Sequence, residues 1–372
     1  MPKASVAILL PDLHAGGAER VCINLANELV RRGLKVDLVL MQRRGALLDQ
    51  VDGGVRVVDL NAPRVRNSVR PLAAYLASSP PTALLANMWP LPAVAQLART
   101  LAGSHTKVFG VEHTTWTRDE LFAHPLTRTL IKASMRAIYP LLDGLVAVSM
   151  GAADELSRVS GLPRDRITSI HNPIVGAPTR CQGAVLAPMD WAAGTHDKIL
   201  AVGTLKPIKD YPTLLRAFAR LRETRNARLL ILGEGEERGG LERLVASLQL
   251  GDSVFMPGFT ADTRPYYVAA DLFVLSSTGE GLPTVMVEAL EQGVPVVSTD
   301  CPSGPREILE DGKYGTLVPV GDADAVAKAM EASLSKTHDH EALKGRAQDF
   351  SVDKAADAYL DLLLPGWREW AA

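Results

Sequence analysis

The feature that most constrains this chain is an alternation that runs almost end to end and breaks once. Short apolar, often β-branched runs at Val6–Leu10, Lys35–Met41, Val55–Leu60, Ala83–Ala86, Val108–Glu112, Leu145–Ser149 and Ile167–His171 have the length and turn-residue borders of strands. Helical periods lie between several of them, at Ala18–Arg32, Pro90–Leu101, Pro125–Leu141 and Gly151–Val159. Strands that are apolar throughout need cover on both faces, and interleaved helices supply it, so the pattern predicts a parallel, doubly wound α/β sheet. Residues 174–197, rich in Gly, Pro and Ala, hold no period and read as a linker.

The alternation then resumes with strands at Ile199–Leu205, Arg228–Leu232, Ser253–Met256, Leu272–Ser276, Val294–Thr299 and Gly315–Val320. Helices at Tyr211–Arg222, Gly240–Leu248, Pro283–Gln292 and Asp324–Ser333 separate most of them. The expectation is α/β, with two Rossmann-like domains over residues 1–173 and 198–351, and a last helix, 352–372, returning to the first. A chain of 372 residues suits this, because one core rarely grows past about 250–300 residues. Such sheets take ligands beyond the carboxyl ends of their strands, so two halves facing one another would hold the site in the cleft between them.

Composition removes several classes of function. Cys22, Cys181 and Cys301 are far apart with no Cys-x-x-Cys pair, which argues against a disulfide framework or a zinc site and fits a reducing compartment. No stretch reaches the roughly 20 apolar residues of a membrane span, and Val6–Leu10 is too short for a signal-peptide core, so the reading is cytoplasmic. The net charge of −2 divides unevenly: residues 1–172 carry 20 Lys and Arg against 14 Asp and Glu, and the remainder 20 against 28. A basic front half suits an anionic partner such as a phosphate or a membrane surface, and nucleic acid less well.

Five stretches carry candidate chemistry. In the second half Ser277-Thr-Gly-Glu-Gly-Leu-Pro joins a strand to a helix that Pro283 would open at its first position. The amides of Gly281, Leu282, Pro283's neighbour Thr284, and Val285 would then line a positive helix end, a cradle for a diphosphate. Glu280 and Glu288 bracket that cradle and could each accept hydrogen bonds from hydroxyls. After the first strand of that half, Gly203-Thr-Leu-Lys-Pro-Ile-Lys puts Lys206 and Lys209 on a loop where ammonium groups could meet a phosphate. Gly235, in Gly233-Glu-Gly-Glu, could admit a flat base.

In the first half, Gly16 and Gly17 follow a strand and let backbone come close to a ligand. His113 ends the strand of Gly110-Val-Glu-His, where a residue projects toward a strand-end site. The Gly-x-Gly-x-x-Gly fingerprint of dinucleotide-binding folds is missing, which disfavours a dehydrogenase.

Taken together these stretches resemble the retaining glycosyltransferases of family 4, which have the two-domain GT-B architecture. Glu280-x7-Glu288 enclosing Gly-Leu-Pro is the most specific match, and Gly16-Gly17-Ala-Glu-Arg, the Lys209 loop, Glu112-His113 and Asp300-Cys-Pro-Ser-Gly-Pro-Arg agree with it. The resemblance implies that Glu288 holds the ribose hydroxyls and that Glu280 meets the hydroxyls of the donor sugar. It implies that Lys209 and the Gly281–Val285 amides stabilise the departing diphosphate, with Gly17 near the phosphates and His113 near the transferred sugar. It implies neither cofactor nor metal. One position departs: Thr204 stands where the family usually has an arginine, and Lys206 offers a positive charge without arginine's bidentate fork.

The resemblance is strongest to bacterial transferases of the N-acetylgalactosaminyl type that extend lipid-linked glycans. It implies transfer of a hexose or N-acetylhexosamine, from UDP or a similar nucleotide, in polysaccharide or glycoconjugate assembly. The acceptor side is expected on the basic half. Arg64, Arg66 and Arg70 share one segment, while Arg128, Lys132 and Arg136 recur every fourth residue on one face of a helix that also carries Leu126, Leu130, Ile131, Ile138 and Tyr139. A basic amphipathic helix can rest on the anionic inner face of a membrane. Two other readings share the architecture: a UDP-sugar 2-epimerase, and a non-catalytic nucleotide-sugar-binding protein.

Overall fold

The computed structural model describes residues 4–14, 16–113, 116, 124–177, 189–260 and 262–371. Ala15 of the glycine loop, Thr114, and residues 178–188 of the linker with Cys181 lie outside them. The chain divides into two compact units, one of Met1–Pro178 with Phe350–Ala372 and one of Thr179–Asp349.

In the first unit the described strands are β1 (Ser5–Leu10), β2 (Lys35–Leu40), β3 (Arg56–Asp59), β4 (Ala83–Asn87), β5 (Lys107–Glu112), β6 (Gly144–Ala147) and β7 (Ile167–Ser169). They form one sheet in the order β3-β2-β1-β4-β5-β6-β7, every neighbour parallel. The helices are α1 (Gly17–Arg31), α2 (Val69–Ser78), α3 (Leu91–Ala102), α4 (Pro125–Ile138) and α5 (Met150–Ser160).

The second unit repeats the plan. Its helices run from α6 (Met189–Ala192) and α7 (Tyr211–Leu221) through α8 (Arg238–Ser247), α9 (Arg264–Ala269) and α10 (Thr284–Glu291). The series ends with α11 (Pro305–Ile308), α12 (Ala323–Leu334) and α13 (His340–Ala347). Its strands are β8 (Asp197–Val202), β9 (Ala227–Leu232), β10 (Val254–Gly258), β11 (Leu272–Leu275), β12 (Val296–Thr299) and β13 (Thr316–Val318). They lie in the order β10-β9-β8-β11-β12-β13, again all parallel. The chain then returns to the first unit with α14 (Val352–Leu363) and α15 (Arg368–Ala371).

The burial pattern follows from the two-residue period of a strand. Ala7 and Leu9 of β1 face one core with Leu72, Leu76, Val94 and Leu156, while Val6, Ile8 and Leu10 face another with Leu25, Leu29, Leu360 and Leu363. Helices α1 and α14 therefore seal one face of the sheet. Charged side chains clasp them. Glu28, nearly buried, accepts from Arg31 at 2.7 Å and from Arg32 at 2.6 Å, and the two arginines reach Asp353 and Asp357 on α14. In the second unit Ile199 and Ala201 of β8 pack with Leu214, Leu215 and Phe218 of α7 and Met330 of α12.

Three sequence expectations need correction. Pro283 is the N-cap of α10, not its first residue: its ψ of 99° is extended, and the helix begins at Thr284. The later part of the expected linker is folded, since α6 starts at Met189 and Trp191 is fully buried, with its carbonyl accepting from His196 Nε2 at 2.8 Å. Its first residues are also tied, because the amides of Ile174 and Val175 both donate to the Phe350 carbonyl.

The α14 packing has a measurable consequence. Leu360 is fully buried, and Leu360→Ala removes its methyl groups from the core and leaves a cavity. Denaturant unfolding should show the first unit destabilised by about 2–5 kcal/mol.

Candidate active site

Each sheet reverses its strand order at one place, between β1 and β4 in the first unit and between β8 and β11 in the second. The loops leaving a reversal point diverge and open a crevice at the strand ends. In the second unit those loops are the ones that carry Lys209 and Glu280.

The loop after β8 passes through a short 3-10 turn, Pro207–Lys209, and reaches Asp210 in the left-handed conformation at φ 44°. Asp210 caps α7: its carboxylate accepts from the Thr213 hydroxyl at 2.7 Å and from the Thr213 amide. This fixes the direction in which Lys209 leaves the backbone. The loop after β11 is stitched to it, with the Thr278 amide donating to the Ile208 carbonyl at 2.8 Å and the Ser276 hydroxyl to the Lys209 carbonyl at 2.8 Å. Across this seam Lys209 Nζ lies 2.6 Å from Glu280 Oε1, with side-chain exposures of 18% and 11%. Ser277 Oγ donates to the same carboxylate oxygen at 2.6 Å. A charged pair this enclosed is weakly screened and holds both loops in one geometry.

Behind Glu280 the chain runs through Gly281, Leu282 and Pro283, all buried, into α10. The loop after β12 supports that stretch. Ser303 Oγ donates to the Gly281 carbonyl at 2.8 Å, and a Cβ on Gly304, whose φ is 83°, would stand 2.5 Å from Pro283 Cδ. No side chain caps α10, whereas Ser149, Asp210, Asp322, Asp339 and Ser351 cap their own helices. Thr284 and Val285 open the helix at its positive end, half-buried. Glu288 lies one turn further and accepts from Thr263 Oγ1 at 3.3 Å. Burial beside Glu280 pushes the Cys301 thiol up to about 12, so it stays protonated.

Thr204 and Lys206 are exposed on the rim of the β8 loop, and Lys206 forms no ion pair among the described residues. Gly235 is exposed too, on a loop joined to Leu205 by two backbone bonds, Leu205 amide to Glu234 carbonyl at 2.9 Å and Glu237 amide to Leu205 carbonyl at 3.0 Å. A Cβ on Gly235 would approach the Leu205 carbonyl to 2.3 Å. The glycine is needed there for backbone to pass backbone.

In the first unit, Gly16 is the N-cap of α1 and Gly17 its first residue. The Glu19 carboxylate folds back over Gly16, so close that a Cβ there would meet Glu19 Oε2 at 2.1 Å. Burial holds Glu19 above the usual carboxylate range. The strand ends beside this helix carry buried polar groups. His113 Nε2 is 2.9 Å from Asn87 Oδ1 at the end of β4, and burial lowers the imidazole to about 4, so it is neutral. Glu112, 1% exposed, accepts from Tyr139 OH at 2.7 Å, and burial raises it to about 7 against that hydrogen bond.

The remaining basic candidates are all on the first unit. Arg64, Arg66 and Arg70 are exposed around a 3-10 turn, Val65–Asn67, and the start of α2. On α4 the expected apolar stripe divides. Met135 and the following Tyr139 are buried and Ile131 packs on the core, but Leu126 and Leu130 are 71% and 70% exposed beside exposed Arg128 and Arg136 and half-buried Lys132. Asn87 and Tyr139 went unmarked in the sequence as site residues. The signal for Asn87 was a polar residue closing an apolar strand at a carboxyl end; Tyr139 left none.

Two doubly wound parallel sheets, each with its own reversal point, are the plan of the GT-B fold. Residues 15–175 match the family model described as Glycosyltransferase Family 4, and residues 191–350 that of Glycosyl transferases group 1. The chain belongs to the glycosyltransferases of family 4 and is an enzyme of that kind. Among its relatives, the lipopolysaccharide core biosynthesis glycosyltransferase LpsE of Rhizobium meliloti is 29% identical over 94% of this chain and 96% of its own. The GalNAc-alpha-(1->4)-GalNAc-alpha-(1->3)-diNAcBac-PP-undecaprenol alpha-1,4-N-acetyl-D-galactosaminyltransferase of Campylobacter jejuni is 24% identical over 96% and 98%. The solved structure of Anabaena HepE in complex with UDP-glucose matches with a TM-score of 0.74 at 20% identity, over 96% of this chain and 99% of that one, a likeness of fold.

The Glu112 environment gives a prediction with a definite sign. Folded Glu112 titrates near 7 and an unfolded glutamate near 4.5, so the folded chain holds the extra proton between those values. Stability should fall as pH rises from about 4.5 to about 7, by about 3 kcal/mol in total, and level off above. Denaturant midpoints measured against pH should show this slope in the native chain and lose it in Glu112→Gln.

Proposed function

We propose that the chain transfers a hexose or N-acetylhexosamine, with retention and without a metal, from a UDP-sugar to a lipid-linked glycan in polysaccharide or glycoconjugate assembly. The observation that carries this reading is the Lys209–Glu280 pair next to the uncapped start of α10. Breaking a sugar–phosphate bond puts negative charge on the leaving diphosphate, and fixed amides with an ammonium group at that spot stabilise the transition state more than the ground state. In this reading an acceptor hydroxyl attacks the anomeric carbon on the face the diphosphate leaves. The C–O bond breaks with its electron pair on the phosphate oxygen, and the acceptor proton passes to that oxygen.

Glu280 orients Lys209 and turns its free carboxylate oxygen to the sugar hydroxyls, while Glu288, deeper along α10, takes the ribose. Lys206, Thr204 and Gly235 form the outer wall of the donor site, and Gly16, Gly17 and His113 belong to the sugar and acceptor side. The relatives named for lipopolysaccharide core and for an undecaprenol-linked glycan support a lipid-linked acceptor, and the neighbour in complex with UDP-glucose supports a uridine diphosphate donor. Arg64, Arg66, Arg70 and the α4 surface of Leu126, Leu130, Arg128, Lys132 and Arg136 join apolar area to positive charge, which suits an anionic inner-membrane surface. No helix among the described residues is long and apolar enough to cross a membrane.

Thermal unfolding against a panel of UDP- and GDP-sugars should single out the donor, because a ligand bound only by the folded chain raises Tm. With that donor, Lys209→Ala should lower kcat by a factor of about 10²–10³. Near-native transfer by Lys209→Ala would overturn the reading. Co-sedimentation with vesicles rich in anionic lipid at low salt should retain the native chain and release Leu126→Ser/Leu130→Ser; no binding by the native chain rules out the membrane surface.

A further inference from the structure

Two buried polar atoms at the end of β4 and β5 decide where one proton sits. Asn87 is 2% exposed, and its amide nitrogen donates to the Leu9 carbonyl at 3.2 Å and to the Leu85 carbonyl at 3.3 Å. Both carbonyls are pure acceptors, so the amide cannot be turned round, and Oδ1 is the end presented to His113. That oxygen also receives the Cys22 thiol at 3.3 Å. Cys22 is buried and its thiol is held far above its ordinary value, so it remains a donor. A carbonyl oxygen only accepts. The 2.9 Å contact to His113 Nε2 therefore requires the ring proton on Nε2.

This choice leaves His113 Nδ1 as a lone pair. Nδ1 is buried and meets no donor among the described residues, although the residue keeps some exposed surface. Buried acceptors are almost always paired, and one without a described donor at the carboxyl end of β5, next to the β4 edge of the reversal, calls for a ligand donor. Of the groups in a nucleotide sugar or glycan, hydroxyls supply that donor.

We propose that Asn87 is a positioning residue that fixes the His113 proton on Nε2 and so presents Nδ1 as the hydrogen-bond acceptor for a sugar hydroxyl. The sugar contact rests on the site reading given above; the tautomer rests on Asn87 alone. For metal-bound histidines, losing the partner that orients the ring costs about 10–100-fold, and the same orienting role is assigned to Asn87 here.

Nitrogen-15 NMR of histidine-labelled protein at about pH 7 reads the tautomer directly. The native chain should show His113 neutral with its proton on Nε2 only. Asn87→Ala should give mixed tautomers and lower kcat/KM for transfer about tenfold or more. Asn87→Asp keeps an acceptor at the same place and should keep Nε2 protonated, but its charge should bring the imidazolium form up toward neutral pH. A native proton on Nδ1, or an unchanged tautomer in Asn87→Ala, overturns the proposal. If the tautomer is as stated and His113→Ala transfers at the native rate, the sugar contact is refuted while the Asn87 assignment stands.

Discussion

The candidate site of the second unit is organised around one ion pair. Lys209 and Glu280 come from loops that leave adjacent strands in different directions; the left-handed Asp210 cap supports one and Ser303 with Gly304 the other, and hydrogen bonds from Thr278 to Ile208 and from Ser276 to Lys209 run alongside the pair. The pair ties them where the strand order reverses, the place where a parallel sheet has room for a ligand. Each partner makes the other tolerable in an enclosed position, since a lone charge there would be costly. In the proposed reading, a diphosphate accepting from Lys209 and from the α10 amides would enter a field already arranged, which is how a fixed site lowers a barrier without reorganising during the reaction.

The first unit has the same topology with different side chains at its strand ends. The ends of β4 and β5 beside its reversal point carry uncharged Asn87, a neutral His113, and a Glu112 raised to about 7 beneath Tyr139. The start of α1 is approached by the chain's own Glu19. Hydroxyl recognition would suit such a surface, while the proposed anion stabilisation would fall to the other unit.

Much of the fold could be read from the sequence because parallel strands are apolar on both faces and announce themselves as short continuous runs. Both sheets, their class and their loops at the strand ends followed from this. The errors have local causes. Helix α2 went unnoticed because Pro71 and the absence of a capping side chain blur its start, and α6 is a single short turn held by Trp191 and not by its own periodicity. Pro283 was misplaced by one residue, the usual uncertainty at a helix end. The spacing of Glu280 and Glu288 marked a candidate site, but the pairing of Glu280 with Lys209 spans 71 positions and is visible only once the strands are ordered. Asn87 was hidden for the same reason, its partners lying on β1, on α1 and just past β5.

The most direct test of the central claim compares the binding of UDP and uridine by calorimetry in the native chain and in Lys209→Ala. If Lys209 and the start of α10 hold the diphosphate, the native chain binds UDP much more tightly than uridine, and the substitution shrinks that gap by tenfold or more while leaving uridine binding nearly unchanged. A gap that survives the loss of Lys209 undiminished would contradict the account.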